Sequence, residues 1–577
     1  MDKLIRINTK TNEVVVEDLS EEMSLLGGRA LTSKIIRQEV PGNCHPLGAS
    51  NKLVIATGML SGTPLANSGR ISVGAKSPLT GGIKEANSGG VFSQKMAKLG
   101  LRGLVLEDKP EEKTTKVIYI NKDGVQIENM PELANLGTYE TSNKLFEKYG
   151  SKVGILVIGP AGENLRLAAS IQFTDPKGRP ARAAGRGGLG AVMGSKGIKA
   201  IVIDDKDAPR VKIADTEAFK AAAKRWAEIL QKHAVTGQGL PSFGTAILIN
   251  IINEAGALPT KNFRFGRFEK AADVSGEKMA ELIQKRGGVV AEGCHPGCII
   301  RCSQAYVDEN GEYITSGFEY ETIWALGPNT LIDNLDELAQ LDRLCDDLGL
   351  DTIETGNTIA VAMEAGVLSW GDGQAAIELL KRIYDPNDYL GRIIANGSAF
   401  TGEAFGIDRV PVVKRQALPA YDPRSVKGVG VTYATSPMGA DHTAGYAVCQ
   451  NILKVGGDIN PLKKEGNIEV SKNLQIATAA IDATGFCLFV AFAVLDTEDA
   501  MDTIAKLLSA RFGKTFTVDD IVNLGINTLK DELAFNKDAG FTKAQDQLPE
   551  FFSKEPLPPH NTVWDFSIDE LQAAKVN

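Results

Sequence analysis

Cysteine is scarce in this chain, seven residues among 577, and the number is odd. Such sparse, unpaired usage argues against a disulfide-stapled secreted scaffold and suits a reducing, cytoplasmic setting. Histidine is scarcer still, with five residues, so each one is a candidate for chemistry. No apolar run approaches the roughly 18–20 residues that span a bilayer, and the opening Met1-Asp2-Lys3-Leu4-Ile5-Arg6 lacks a signal-peptide core. Neither a membrane span nor export is expected. Runs of lysine or arginine are also missing. With 63 basic against 72 acidic residues the net charge is −9, which argues against a nucleic-acid partner. No dinucleotide fingerprint follows a strand, and Gly194-Ser195-Lys196 reverses the order of a P-loop ending, so the chain is not expected to reduce NAD by itself.

What is present is concentrated. Three of the seven cysteines fall in Gly293-Cys294-His295-Pro296-Gly297-Cys298-Ile299-Ile300-Arg301-Cys302, set off by Gly and Pro turns. Thiolates so close together in a turn can converge on one iron–sulfur cube, with a fourth cysteine arriving from far along the chain. Structural zinc is the competing reading, but it prefers two paired knuckles, and no second Cys/His pair follows. The two intervals of three residues also differ from the pattern of radical enzymes that use S-adenosylmethionine. His295 reads as a polar cap of the loop, with ligation as the alternative.

The chain is long enough for two to four domains. Leu4–Ile7 and Glu13–Val16 flank polar turn residues as a hairpin, and a helix is expected near Met23–Val40. Short β-branched runs follow at Leu53–Ala56, Ile71–Gly74, Leu104–Leu106, Val117–Ile120, Gly154–Ile158, Leu165–Phe173 and Lys199–Asp204. From about Asp215 helical periodicity takes over, at Ala218–Leu230, Thr245–Glu254, Glu277–Lys285, Asp336–Leu348, Thr352–Glu364 and Ala375–Tyr384. The fold class is therefore α+β. Residues 1–210 are expected to form a sheet-rich N-terminal domain, followed by two mainly α-helical domains (211–410 and 411–577). The Pro-rich segment Glu555–Pro559 is expected to lie along the surface.

Inside the sheet region, two Gly/Arg/Asn-rich stretches exceed what sheet packing needs: Leu65–Arg70 continuing through Gly81–Gly90, and Arg179–Gly190. Glycines let a ligand approach the backbone and arginines supply charge-assisted donors, so both read as phosphate cradles, with ordinary turns as the alternative. Beyond the cysteine loop, Ser316-Gly317-Phe318-Glu319-Tyr320-Glu321-Thr322-Ile323-Trp324 sets carboxylates among aromatics, where one can stay protonated near neutral pH. Two hexads match: Asp346-Asp347-Leu348-Gly349-Leu350-Asp351 and Asp482-Ala483-Thr484-Gly485-Phe486-Cys487. Each reads as a helix ending at Gly, with an acid and a later residue facing a common site. The second nominates Cys487 as the fourth cluster ligand, while Cys345 and Cys449 read as core residues. His442, bracketed by small residues in Ala440–Gly445, is the candidate proton donor or substrate polariser.

Taken in order, Leu25–Ala30, the Asn87 and Arg182 stretches, the cysteine triplet, both hexads, Ala440-Asp441-His442 and Cys487 resemble the tungsten-containing aldehyde ferredoxin oxidoreductases over essentially the whole chain. One departure is visible: three residues, and not two, separate Cys294 from Cys298. The resemblance implies that the sheet-rich domain is two packed β-sheets and that the two helical domains enclose a buried cofactor. It further implies tungsten or molybdenum held by the dithiolenes of two pyranopterins whose phosphates are joined by Mg2+, beside one 4Fe-4S cluster. It places Arg70, Asn87, Gly89, Arg182, Ala183 and Gly185 at the phosphates and magnesium. Asp346, Leu350, Asp351, Asp482 and Leu488 fall in the two pterin-gripping loops. Cys294, Cys298, Cys302 and Cys487 become cluster ligands. Glu321, His442 and Glu319 lie beside the metal, with Glu321 preferred over Glu319. The expected activity is oxidation of an aldehyde to a carboxylate, with electrons passing to ferredoxin or to a separate iron–sulfur subunit joined to a flavin subunit, in a homo- or hetero-oligomer. The alternatives are a benzoyl-CoA-type aromatic-ring reductase subunit and a non-enzymatic iron–sulfur electron-transfer subunit.

Overall fold

The computed structural model describes residues 2–316 and 318–576, so Gly317 lies outside the described residues. Two six-stranded sheets form its base. The first contains β1 (Lys3–Asn8), β2 (Val14–Asp18), β3 (Leu53–Thr57), β4 (Ile71–Lys76), β5 (Ile83–Ser88) and β6 (Leu101–Glu107), in the order β2-β1-β6-β3-β4-β5. The second contains β7 (Lys116–Asn121), β8 (Gly124–Asn129), β9 (Gly154–Val157), β10 (Ile171–Phe173), β11 (Arg182–Ala184) and β12 (Ile198–Ile203), in the order β11-β10-β9-β12-β7-β8. Each strand of the second sheet occupies the place of the strand six earlier in the first. The correspondence extends to direction, since β1–β6 and β7–β12 are the parallel pairs and the remaining neighbours are antiparallel. It extends also to the connections: helices Gly28–Glu39 and Thr138–Tyr149 link the second strand to the third, and Phe92–Lys98 and Leu189–Ser195 link the fifth to the sixth.

The two sheets face each other through Ile55, Ile71, Val73, Ile118, Leu156, Ile171 and Ile201, all fully buried. On the outer face of the first sheet, Leu31, Ile35 and Ile36 of the helix Gly28–Glu39 cover Leu4, Val54 and Val105. Burial on both faces is why β3, Leu-Val-Ile-Ala-Thr, reads as a continuous apolar run and not as an alternating one.

The expected elements are present with three corrections. The helix expected over Met23–Val40 is broken into Glu21–Ser24 and Gly28–Glu39 by the extended backbone of Gly27, and only glycine fits there, since a Cβ would meet the Met59 nitrogen at 2.5 Å and the Ala483 oxygen at 2.8 Å. The strand expected over Leu165–Phe173 is confined to β10. The two stretches read as phosphate-cradling turns contain strands β5 and β11, which end their sheets, so Asn87 and Arg182 are held by ladder hydrogen bonds and not by free loops. These strands carry Gly, Asn and Arg where strand propensity is weak, which hid them from pattern reading.

From Thr216 the chain is mainly helical. The helix Leu335–Leu348 ends at Gly349 (φ 71°) and the helix Asn467–Thr484 ends at Gly485 (φ 89°), both left-handed caps, as the hexads predict. A three-stranded sheet of Val289–Glu292, Ser303–Val307 and Tyr313–Ser316 brackets the cysteine loop, an element the sequence did not announce. The Pro-rich segment Glu555–Pro559 lies along the surface as expected, with Leu557 alone buried, while Phe552, Trp564 and Phe566 on either side of it join the main helical core. Among the described residues no single helix is long and apolar enough to cross a membrane.

Candidate functional site

The hexads dock on the two sheets in equivalent ways. Ser170 N–H donates to the Gly349 oxygen at 2.8 Å just before β10, and Arg70 N–H donates to the Gly485 oxygen at 3.0 Å just before β4. Glycine is required opposite each hexad. A Cβ at Gly159 would meet Leu348 at 2.3 Å, and one at Gly58 would meet Gly485 at 2.1 Å. The acids that follow from this docking, Asp346 and Asp351 on one side and Asp482 on the other, line a single cavity of about 530 Å³. Arg70, Asn87, Gly89, Arg182, Ala183, Gly185, Glu319, Glu321, Leu350, His442, Cys487 and Leu488 line it too. Of the residues that the resemblance places at the cofactors and the metal, only Cys294, Cys298 and Cys302 stay outside that lining. Cys294 stands directly behind Gly89, whose Cβ would come within 3.1 Å of its Sγ.

The cysteine loop and the second hexad are joined by one residue. Asn67, in the left-handed region (φ 60°), donates its backbone N–H to the Gly297 oxygen (3.1 Å), and its own backbone oxygen accepts from Cys487 N–H (2.9 Å). Its side chain accepts from Ile299 N–H at 3.1 Å and points its amide at Cys298 Sγ, 3.5 Å away. Sequence reading quoted Asn67 within a stretch without singling it out. A signal existed in the repeated Asn-Ser-Gly of 67–69 and 87–89. Arg301 N–H also reaches Cys298 Sγ at 3.3 Å. The thiols feel one another's charge. Cys294 is held well below the usual thiol range, first by its hydrogen bond with Cys298, then by His295 and Arg182. Cys487 is pushed up to about 11, chiefly by burial and also by Cys294, while Arg70 opposes the rise. His295, read as a polar cap of the loop with ligation as the alternative, is buried with its Nδ1 3.2 Å from Cys294 Sγ, and the two could share an ion with Cys298, their ligand atoms all lying within 4.8 Å.

On the far side of the cavity, Glu321 and His442 meet. Glu321 Oε1 lies 3.4 Å from His442 Nε2, while Oε2 accepts the Ala420 N–H at 2.9 Å. Burial pushes the Glu321 carboxyl up to about 8 and drives His442 down to about 4. At neutral pH the pair is therefore a protonated carboxyl beside a neutral imidazole. Glu319 is placed differently. Thr245 Oγ1 donates to it at 2.6 Å and Arg182 stands 3.8 Å away, toward the cysteines. Burial raises its carboxyl to about 7, a rise tempered because the side chain is 37 % exposed to the cavity.

A buried frame, missed from sequence, holds these groups. Lys84 Nζ donates to Asp441 at 2.7 Å, which fixes the turn carrying His442. Arg186 donates to Asp351 (3.0 Å) and to the Ala440 and Ala417 oxygens (2.7 Å each), tying the first hexad to the same turn. Arg29 pairs with Glu532 at 2.8 Å and faces Asp482 at 3.4 Å. No local pattern marks these pairs, because their partners lie hundreds of residues apart.

Comparison with known proteins gives matches over nearly the whole length. Residues 4–205 match the family model "Aldehyde ferredoxin oxidoreductase, N-terminal domain", and residues 221–573 match "Aldehyde ferredoxin oxidoreductase, domains 2 & 3". The tungsten-containing aldehyde ferredoxin oxidoreductases of Pyrococcus furiosus and Thermococcus kodakarensis are each 37% identical to this chain, over 96% of it and 92% of their own length. The "Aliphatic sulfonate oxidoreductase, WOR-like subunit" of Pyrococcus furiosus is 26% identical over 77% of the chain and 74% of its own length. A solved structure, "Active site complex BamBC of Benzoyl Coenzyme A reductase in complex with 1,5 Dienoyl-CoA", shares the fold with a TM-score of 0.78 at 18% identity, covering 95% of this chain and 90% of that one.

Proposed function

The chain belongs to the aldehyde ferredoxin oxidoreductase family and is an oxidoreductase, and from that membership we propose that it oxidises aldehydes to carboxylic acids, reversibly, at a tungsten or molybdenum centre held by two pyranopterins. Electrons would leave through one 4Fe-4S cluster to ferredoxin or to a separate iron–sulfur subunit, which a flavin subunit can join. The observation that carries this reading is the convergence of two equivalent hexads on one cavity, with the second hexad ending in a cysteine tied through Asn67 to the cysteine loop.

The residues fit such a group. Four free thiols, Cys294, Cys298, Cys302 and Cys487, close enough to feel one another's charge, supply the donor set a cube needs. Buried polar atoms without partners point to missing ligands: Arg182 Nε, Glu85 Oε1, Glu321 Oε1 and His442 Nδ1. The bare Cα of Gly89 leaves room between the thiol of Cys294 and the guanidinium of Arg70. Arg70, Asn87, Gly89, Arg182, Ala183 and Gly185 would hold the phosphates and their Mg2+. Asp346, Leu350, Asp351, Asp482 and Leu488 would grip the pterins, and Cys294, Cys298, Cys302 and Cys487 the cluster. When bound, the metal and cluster supply the oxidising power and divide the electron pair into single electrons.

The chain's own residues handle the proton. Because Glu321 Oε2 accepts the Ala420 N–H, the carboxyl proton resides on Oε1, facing His442 Nε2. Protonated Glu321 can hydrogen-bond a carbonyl oxygen, while neutral His442 can take the proton of water or of a hydrated aldehyde. Glu319, drawn toward Arg182 and the thiols, is a secondary group. The aromatic-ring alternative rests only on a likeness of fold, at 18% identity. The test is turnover of simple aldehydes by metal-replete enzyme with a viologen dye. The reading predicts stoichiometric carboxylate, and a metal-replete chain that leaves every aldehyde untouched would overturn it.

A further inference from the structure

A second cavity, of about 290 Å³, lies next to the first and takes no part in the chemistry above. It is enclosed by the helices Asn467–Thr484, Val490–Asp496, Ala500–Phe512 and Val518–Asp538. Its walls are almost wholly apolar, and no Asp, Glu, Lys or Arg lines it. The two cavities share Tyr446, Leu488, Phe489 and Phe492, so one layer of side chains divides them. That layer is close to the proton-handling pair, since the Tyr446 ring centroid lies 6.2 Å from that of His442 and 6.1 Å from that of Phe492. Tyr446 is fixed by a 2.6 Å hydrogen bond with Tyr421, whereas Phe489, half-buried, and Phe492, buried, are held only by packing and stack at 6.2 Å.

We propose that this annex receives the apolar tail of the aldehyde, with Phe489 and Phe492 as the partition whose rotamers admit it. The inference rests on the aldehyde reading above and adds a specificity determinant to it. An apolar cavity of about 150 Å³ suffices for benzene, so the annex has room for a phenyl ring or an alkyl tail of several carbons. The absence of any charged lining residue argues against tails carrying phosphate or carboxylate, because an unpaired charge there would lose its hydration without compensation. Each methylene entering the annex should raise kcat/KM about fourfold until the space is filled.

The experiment uses holoenzyme and straight-chain aldehydes from acetaldehyde to decanal, together with calorimetric titration of 1-octanol, which carries the tail but no carbonyl. Ala477, on the annex wall, is replaced by Phe to fill it, and Val522, 38% exposed at its outer end, by Trp. The expected result is a stepwise rise with chain length in the wild type, saturable octanol binding, and at least a tenfold fall in the octanal-to-acetaldehyde ratio of kcat/KM in Ala477→Phe. Octanol binding should weaken in parallel, and Val522→Trp should shorten the chain length at which the rise stops. A flat chain-length profile, or ratios and octanol affinity unchanged in both variants, would overturn the annex while leaving aldehyde oxidation standing. Conversely, failure of the aldehyde reading would appear as no turnover at any length, and octanol titration would still decide the annex.

Discussion

The two halves of the platform share strand order, strand direction and a hexad docked at the same place, yet they end differently. On the second sheet the docked hexad presents, after Gly349 and one apolar residue, Asp351, which accepts from Arg186 at 3.0 Å and caps the helix Thr352–Glu364. At the matching position the hexad docked on the first sheet presents Cys487, whose backbone is held by Asn67 beside the cysteine loop. The frame is thus repeated while the chemistry is not. A doubled scaffold can offer two equivalent grips to a two-part ligand, and one substitution in the repeat is enough to place a redox group on one side alone.

The sharpest way to break this asymmetry is at the thiols. Cys298→Ala and Cys487→Ala should each remove the cluster's visible absorption and abolish acceptor reduction, whereas Cys345→Ala, buried in the helix Leu335–Leu348 that carries the other hexad, should do neither. Iron content and absorption spectra check this, and equal loss in all three would erase the distinction. Next in size is the proton-handling pair. His442→Ala and Glu321→Gln should each keep their metals and lose about 10²- to 10⁴-fold in dye-linked turnover, with Glu319→Gln milder. Full activity in Glu321→Gln with collapse in Glu319→Gln would reverse the choice of glutamate.

The caps sharpen the comparison further. Gly349→Ala and Gly485→Ala both force a side chain onto a left-handed residue, and the new Cβ would stand 2.8 Å from the Gly159 nitrogen in one case and 2.8 Å from Ser61 Oγ in the other. Each should cost about 1–3 kcal/mol in chemical denaturation. Only Gly485→Ala should also lower iron content, so loss of iron in both variants would contradict the asymmetry.

Smallest is the effect of pH. Glu321 titrates at about 8 in the folded protein against ~4.3 for an unfolded carboxylate, so across that window the native state holds a proton the unfolded chain has released, and stability falls as pH rises. His442, at about 4 against ~6.5 unfolded, acts oppositely, and stability rises with pH between those values. Turnover should decline above about pH 8 as Glu321 loses its proton, and the residual activity of Glu321→Gln should lack that limb.

Much of this was legible in the residues because short-range grammar carried it. The cysteine triplet, the Gly caps of the hexads and the periodicity of Thr352–Glu364 are each set within a few residues. The strands β5 and β11 were not legible, because their Gly, Asn and Arg serve the cavity at the expense of strand propensity. Nor were Asn67 and the pairs Lys84–Asp441, Arg186–Asp351 and Arg29–Glu532, whose meaning arises only when distant segments are folded together. The duplication itself was visible only as two matching hexads. Strand order revealed the rest.

The cavity lined by the two hexads is expected to hold a metal–pterin beside a cluster. Elemental analysis of the purified chain tests this most directly. About one tungsten or molybdenum and about four irons per chain are predicted, with the iron lost in Cys487→Ala, and iron without tungsten or molybdenum in active, fully folded protein would contradict it.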